Sequence, residues 1–224
     1  TSPNIDGLAA GGVLFENAYS PAPVTIRVLE AIMTGDLVSN EALLELVGAY
    51  NIAASHSIAV GLGKMGYTTA GFTDHKGLGR GSQGPFTSEG VVRRGFREFQ
   101  NFGEGIAAKT TAKTAAAVEE WLGRHRDEKF FLWAHLFDPH YNWIPGKDAE
   151  RAFGFSAEAC GRIRNGLDIA EIHRIEAELT EVETKCLESL YHAEVFETDA
   201  LVGEILARLE ALGLAERTIV IIVG

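Results

Sequence analysis

A hydroxyl at the start of a predicted helix is the first group in this sequence that could act on an ester. Thr25 follows a loop at residues 20–23 and precedes residues 27–33, whose apolar spacing predicts a helix. The first N–H groups of a helix have no partner within it, and the helix dipole adds positive potential there. This environment suits an anionic ester beside the Thr25 hydroxyl. The alternative is that Thr25 only caps the helix.

An imidazole follows a strongly apolar segment farther along the chain. Residues 129–137 form a nearly continuous apolar run, which predicts a strand covered on both faces. His140 comes just after this strand, behind Asp138 and Pro139, and its ring could transfer a proton. On the same segment we interpret His135 as a buried strand residue and Asp138 as the cap of a turn.

A second set of polar side chains follows another predicted strand, residues 67–73. Asp74, His75 and Lys76 come directly after it. Ligands of parallel α/β sheets bind at the edge where the C-terminal ends of the strands meet. We therefore expect these three residues on the substrate side of a site at that edge. The alternative is a solvated polar loop.

The elements that must position these groups alternate between helices and strands. We predict helices over residues 5–10, 27–33, 40–50, 57–65, 110–125 and 181–212, with helical pieces between residues 149 and 177. We predict strands over residues 13–19, 67–73, 91–99, 129–137 and 218–223. This alternation indicates an α/β fold with α/β/α layers around a mostly parallel central sheet.

Composition narrows the classes of protein to which the chain can belong. Its 224 residues suffice for one domain, and 46% of them are hydrophobic. The net charge of −11 disfavours nucleic acid as a partner, because phosphate backbones repel an acidic surface. No apolar stretch approaches the roughly 18 residues that a membrane span requires.

Metal and redox motifs are scarce in the sequence. It contains neither an HExxH motif nor a pair of CxxC motifs, so it shows no self-contained zinc site. The glycine-rich residues 77–84 lack the GK[ST] of a phosphate-binding loop. We expect Cys160 and Cys186 to be two free, partly buried thiols rather than a disulfide, although spacing alone does not decide this.

Four segments, in order along the chain, together resemble the sulfatase family of the alkaline phosphatase superfamily. Residues 2–19 are similar to the stretch that follows the family's first metal-binding strand, and residues 22–35 resemble its nucleophile loop and helix. Residues 130–140 resemble the family strand that ends in Phe-Asp-Pro-His. Residues 191–221 look like the helix and strand that precede its Asp-His metal ligands. The resemblance implies a sulfatase-like α/β/α fold over nearly the whole chain.

The resemblance places Thr25 at the nucleophile position and His140 at an active-site histidine. Most sulfatases have Cys or Ser at the first position, which is oxidised to formylglycine, and Thr does not yield that aldehyde by the usual route. Phosphodiesterase relatives of the same superfamily use a Thr hydroxyl directly. The role implied for His140 is proton transfer to the leaving group, or a hydrogen bond to the transferred group.

Two departures from the family pattern concern the binding of the anion. The family motif Cys/Ser-x-Pro-x-Arg requires Pro at position 27 and Arg at position 29, where this chain has Arg27 and Leu29. Arg27 is the candidate substitute for that cation, although the shift turns its side chain by roughly 200° about the helix. The family's Gly-Lys-Trp-His motif aligns its Lys with Asp74 and its His with Lys76, so the charges are present but permuted.

The resemblance also implies a divalent metal, calcium or magnesium, with manganese and zinc as further options. Its ligands would be two Asp residues before residue 1, and Asp with His or Asn after residue 224. We therefore read residues 1–224 as a single catalytic-domain fragment, truncated before the first and after the last metal-ligand motif. We expect no metal bound to this fragment and no activity from it alone.

The function implied is hydrolysis of sulfate or phosphate esters. The substrate would be a small molecule or a glycan ester, and the family resemblance allows a periplasmic or extracellular location. Two alternatives stay open. One is a catalytically inactive sulfatase-fold protein that acts as a structural or binding subunit, and the other is a phospho-group transferase of the same superfamily.

Overall fold

The structure is a computed structural model that describes residues 1–36, 56–78, 88–104 and 109–224. The helix predicted over residues 40–50 lies outside the described residues, as does most of the glycine-rich loop after Leu78. None of the helices in the described ranges is long and apolar enough to cross a membrane.

A parallel sheet lies at the centre of the described structure. Its strands are β1 (Thr68–Thr73), β2 (Glu98–Asn101) and β3 (Phe130–His135), in the order β2-β1-β3. Both neighbours run parallel to β1, with Thr73 opposite Asn101 on one side and His135 on the other. Parallel neighbours require crossover connections, and helices lie between the strands in sequence. The strands therefore end together at one edge.

Eight α-helices accompany this sheet in the described ranges. They are α1 (Pro3–Ala10), α2 (Thr25–Thr34), α3 (Ile58–Lys64), α4 (Ser88–Arg93), α5 (Thr111–Arg124), α6 (Lys147–Ala152), α7 (Ile169–Ile175) and α8 (Glu181–Ala211). Single 3-10 turns cover Lys76–Leu78, Glu176–Glu178 and Ala215–Arg217. The predictions of α1, α2, α3, α5 and α8 are confirmed, and α6 and α7 supply the helical pieces expected after residue 149.

Alternate residues of the strands face two different layers. Phe72 of β1 and the even-numbered residues of β3 pack with Trp121 of α5 and Leu209 of α8. On the other face, Trp133 and Phe96 pack against a cluster formed by α2, α4 and the turn after β1, whose buried residues are Leu29, Met33, Leu78 and Val92. The period of two follows from the pleat of a strand. It confirms the layered α/β/α architecture and the mostly parallel sheet.

Two predicted strands are wrong. Residues 13–19 form no strand, and Val13, Phe15 and Tyr19 are each at least 78% exposed. Residues 218–223 form no ladder with any described strand, although Val220 packs against the apolar cluster that contains Phe72 and Trp121. Apolar and β-branched residues favour extended backbone, but a strand forms only where another strand accepts its hydrogen bonds.

The segment over residues 91–99 also differs from its prediction. The helix α4 continues to Arg93, a turn follows, and β2 begins only at Glu98. Gly95 makes this turn with φ of 92°, and a Cβ there would lie 2.4 Å from the backbone N of Val60. Only glycine tolerates both the backbone conformation and the close approach.

The expectation of two free thiols is wrong, because Cys160 and Cys186 form a disulfide. The bond joins the loop before α7 to the second turn of α8 and lies in a third apolar cluster. The buried members of that cluster are Phe155, Cys160, Ile163, Leu167, Ile172, Cys186 and Leu190. Apolar burial favours thiols and disulfides alike, so composition could not separate the two.

The long helix α8 begins with a capping box, from which a stability prediction follows. Thr180 accepts a hydrogen bond from the Glu183 N–H, and the Glu183 carboxylate accepts one from the Thr180 N–H. We expect Thr180→Ala to lower the free energy of unfolding by about 1 kcal/mol. Urea denaturation measures this change, with Thr180→Ser as the control that keeps the cap. Equal midpoints for both variants would contradict the assignment.

Candidate active site

The ends of β1 and β3 bring two histidines together. Thr73 and His135 are register partners, and the Thr73 Oγ1 lies 3.0 Å from the His135 Nδ1. The ring of His75 lies 5.9 Å from that of His135 and 4.9 Å from that of Phe137, measured between centroids. The polar residues that follow the two strands therefore meet at the C-terminal edge of the sheet, as predicted for such sheets.

These imidazoles are held in the neutral form. Burial, with smaller contributions from His75 and His140, lowers the pKa of His135 to about 4. Burial also lowers the pKa of His75, and His140 adds to that effect. Neutral imidazoles offer one donor and one acceptor each. At neutral pH this edge therefore presents hydrogen-bonding groups rather than fixed positive charge from these two rings.

His140 lies next to this pair on the loop that leaves β3. Its ring stacks on Phe137 with centroids 4.3 Å apart, and its Nδ1 lies 2.6 Å from the carbonyl oxygen of Tyr141. A carbonyl oxygen can only accept, so Nδ1 carries the hydrogen in this contact. The Nε2 atom of His140 is then the one available to exchange a proton with a ligand.

Asp74 lies inside the protein and holds the loop that follows β3. It is 4% exposed, and its Oδ1 accepts a hydrogen bond from the Phe137 N–H (2.9 Å). Its Oδ2 accepts one from the Thr111 hydroxyl (2.6 Å), and Thr111 in turn accepts one from the Asp138 N–H (3.3 Å). Burial raises the pKa of the Asp74 carboxyl, and these hydrogen bonds oppose the rise.

Thr25 is the first residue of α2 and is partly exposed. The next residue, Ile26, packs on the cluster that includes Leu78. A Cβ placed on Gly77 would lie 3.9 Å from the Ile26 side chain and 2.7 Å from the His75 ring. The start of α2 therefore lies against the turn that carries His75. Within the described residues, Thr25 makes no hydrogen bond to a histidine side chain.

The other predicted substrate contacts are charged side chains at the same side of the sheet. Lys76 begins the 3-10 turn and is exposed. Arg27 makes an ion pair with Glu30, one turn farther along α2, at 2.9 Å. Leu29, at the position where the family motif has arginine, is 5% exposed and belongs to the apolar cluster of α2. An apolar side chain that packs there cannot bind an anion.

The described residues do not form a metal centre. No group of three or more His, Cys, Asp or Glu side chains in these ranges has a geometry that could hold a metal ion. His75, His135 and His140 come near one another, yet they do not converge on one point. The described residues by themselves therefore supply no complete ligand set for the divalent metal that the resemblance implies.

Three contacts near this site were not predicted from the sequence. The Thr73 hydroxyl contacts His135, and Thr111 links Asp74 to the backbone of Asp138. On α8, Glu194 accepts a hydrogen bond from the Ile144 N–H. The pairing of two strand ends could have indicated Thr73, because the predicted parallel sheet places their last residues side by side. Thr111 and Glu194 offer no such signal, since they come from separate helices.

Solved structures of sulfatase-like proteins share this fold. The yidJ protein of Bacteroides fragilis, assigned as a sulfatase, is 18% identical, with a TM-score of 0.66 over 96% of this chain and 54% of its own. The phosphonate monoester hydrolase of Agrobacterium radiobacter is 17% identical, with a TM-score of 0.61 over 96% of this chain and 56% of its own. The chain thus spans little more than half the length of either protein.

The family follows from the sequence match over the whole chain. No curated protein matches the chain significantly. The sulfatase family model, in contrast, matches residues 1–224. The chain therefore belongs to the sulfatase family.

Proposed function

We propose that the protein of which these residues form part hydrolyses sulfate or phosphate esters, with the Thr25 hydroxyl as nucleophile. One observation supports this more than any other. The N-terminal turn of α2 packs against the turn that carries His75, at the edge where His135 and His140 also lie. A hydroxyl at a helix start beside several imidazoles suits attack on an anionic ester.

The reaction would proceed in two displacements. The Thr25 oxygen forms a bond to sulfur or phosphorus and releases its proton to solvent while the bond to the ester oxygen breaks, and the leaving oxygen takes a proton from the Nε2 atom of His140 in its imidazolium form. Water then attacks the Thr25 ester and gives a proton to the Nε2 atom of His140, and the Thr25 oxygen leaves and takes a proton from solvent. This step restores the hydroxyl and releases sulfate or phosphate, or an aryl phosphate where the substrate is a diester. His140 suits this exchange because its Nδ1 is already bound to a carbonyl oxygen.

The anion would be held by donors around the start of α2. The first N–H groups of the helix, the exposed Lys76 and the guanidinium of Arg27 supply positive potential, and His75 supplies a neutral donor. Asp74 has a different role in this proposal. Its carboxylate accepts hydrogen bonds from Phe137 and Thr111, so it positions the loop of His140 and makes no contact with substrate.

A catalytically inactive binding subunit is the second candidate, and Leu29 favours it. The family arginine that would hold the nucleophile and the anion is replaced by a residue 5% exposed in an apolar cluster. If Arg27 does not substitute for this cation, the fold would remain while turnover is lost.

Turnover distinguishes the two candidates. The protein is assayed with an aryl sulfate and a bis-aryl phosphate, and release of the phenol is measured with calcium, magnesium, manganese or zinc added in turn. We expect saturable hydrolysis of at least one substrate, and a decrease of roughly a hundredfold or more in His140→Ala. Substrate binding without hydrolysis under every condition would establish the inactive subunit instead.

Residues 1–224 alone are expected to bind divalent metals only weakly. The reason is that the described residues include no convergent group of three metal-ligating side chains. Isothermal calorimetry of this fragment with each of the four metals should show no binding tighter than about millimolar. Micromolar binding would contradict this prediction and would indicate ligands within the fragment itself.

A further inference from the structure

Carboxylates hold both ends of the loop that carries His140, and two of them, Asp74 and Glu194, are buried. We define this exit loop as residues 137–146. At its start, Asp74 accepts the hydrogen bond from the Phe137 N–H. At its end, two carboxylates of α8 do the same: Glu194 accepts from the Ile144 N–H (2.6 Å) and Glu197 from the Gly146 N–H (2.9 Å).

Contacts within the exit loop link its two ends. The Trp143 indole N–H donates to the carbonyl oxygen of Pro139 at 3.1 Å, directly before His140. Trp143 itself packs against the apolar cluster around the disulfide. The residue next to Trp143 is Ile144, whose N–H is held by Glu194. A change in that hydrogen bond therefore reaches the backbone of His140 through one side chain.

Glu194 differs from the other two carboxylates in its surroundings. It is 1% exposed, and its Oε2 is buried without a hydrogen-bond partner in the described part of the chain. The charged groups that act on it come from three elements, namely Lys109 before α5, Asp138 in the exit loop and Glu197 on α8 itself. The Lys109 Nζ lies 3.7 Å from the Glu194 Oε1 and 2.6 Å from the Glu197 Oε2.

We propose that Glu194 is a positioning residue for His140, and that gain or loss of its proton moves the exit loop between two arrangements. An ionised carboxylate accepts the Ile144 N–H more strongly than a neutral carboxyl, and it attracts Lys109. A neutral Glu194 carries a hydroxyl that must find an acceptor inside the protein. The effect of this movement on catalysis rests on the proposed function. The movement itself is independent of that function.

Glu194 gains or loses its proton in the neutral range of pH. Burial raises the pKa of Glu194 to about 7, and Asp138 and Glu197 add to the rise. The hydrogen bond from Ile144 and the charge of Lys109 oppose it. Glu194 is therefore protonated in mildly acidic solution and ionised in mildly alkaline solution, and the hold on Ile144 strengthens as pH rises.

NMR of the folded chain tests the proposal without any turnover. The chain is labelled at tryptophan and isoleucine, and the signals of the Trp143 indole N–H and the Ile144 backbone N–H are followed from about pH 5.5 to 8.5. We expect both signals to share an inflection near pH 7 in the unaltered chain. In Glu194→Gln that shared inflection should vanish, while the amide oxygen still accepts from Ile144. A shared inflection that persists in Glu194→Gln would overturn the proposal.

A second pair of variants keeps the test decisive if Glu194→Gln folds poorly. Lys109→Met removes the cation that lowers the Glu194 pKa, so the inflection should move to higher pH. Lys113→Met is the matched control, because Lys113 pairs with Glu104 on the surface. An unmoved inflection in Lys109→Met would contradict the assignment to Glu194.

In active protein, Glu194→Gln should also change the pH profile of kcat. Absence of activity would refute the proposed function alone and would leave the NMR test of the loop unaffected.

Discussion

Replacement of Thr25 by alanine is expected to decrease ester hydrolysis by at least about a thousandfold. The hydroxyl is the group that forms the covalent bond in the proposed reaction, and alanine has no hydroxyl to replace it. Alanine is a good helix former, and Thr25 is partly exposed, so the fold should be retained. The loss should therefore appear in kcat without a change in the unfolding midpoint.

Thr25→Ser is the matched control for this prediction. It keeps a hydroxyl at the first residue of α2 and should retain measurable activity. Mass spectrometry of the peptide that contains residue 25, after rapid acid quenching, should show an added sulfuryl or phosphoryl group in the unaltered protein and in Thr25→Ser, and none in Thr25→Ala. Unchanged hydrolysis by Thr25→Ala, with either an aryl sulfate or a bis-aryl phosphate, would exclude Thr25 as nucleophile.

The strands and helices that form the core were predictable because their patterns are local. The apolar segment of β3 and the spacing of Val118, Trp121 and Leu122 on α5 indicate buried faces without knowledge of the partner. The parallel sheet follows from helices between strands. The positions of Asp74, His75 and His140 at one edge follow from the same argument, since each comes after a predicted strand.

The errors occurred where structure depends on partners distant in sequence. Residues 13–19 and 218–223 have strand composition but no ladder among the described residues, because composition cannot supply hydrogen-bond partners. The disulfide depends on the loop before α7 folding back onto α8, which no spacing encodes. The role that we propose for Glu194 could not be recognised from sequence, since a glutamate on a long polar helix is ordinarily solvated.

The same limit applies to the side chains around His140. The sequence predicts that His140 follows β3, but it gives no indication of a role for Thr111. The Thr111 hydroxyl donates a hydrogen bond to Asp74 and accepts one from the Asp138 N–H. That link requires the start of α5 to lie beside the ends of two strands. These hydrogen bonds and the burial of Asp74 are the reason that we propose it as a support for the loop of His140, whereas the sequence predicted a substrate contact.

The disulfide offers the largest stability prediction. It joins residues 26 positions apart, and its closure restricts the unfolded chain. Loop entropy for that separation corresponds to about 3 kcal/mol of stability, which the double variant Cys160→Ala and Cys186→Ala should lose. Both cysteines are buried among apolar side chains, so alanine at both sites leaves no thiol and no buried polar group.

Urea unfolding of three samples tests this expectation: the oxidised chain, the same chain reduced with dithiothreitol, and the double variant. The reduced chain and the double variant should unfold at similar, lower midpoints, and dithiothreitol should leave the variant unchanged. Since Trp143 packs on the same apolar cluster, loss of the bond should also broaden its indole signal and loosen the exit loop. Equal midpoints for the oxidised and reduced chains would show that the cluster is held by apolar packing alone, and an unchanged indole signal would show that the disulfide has no part in positioning the exit loop.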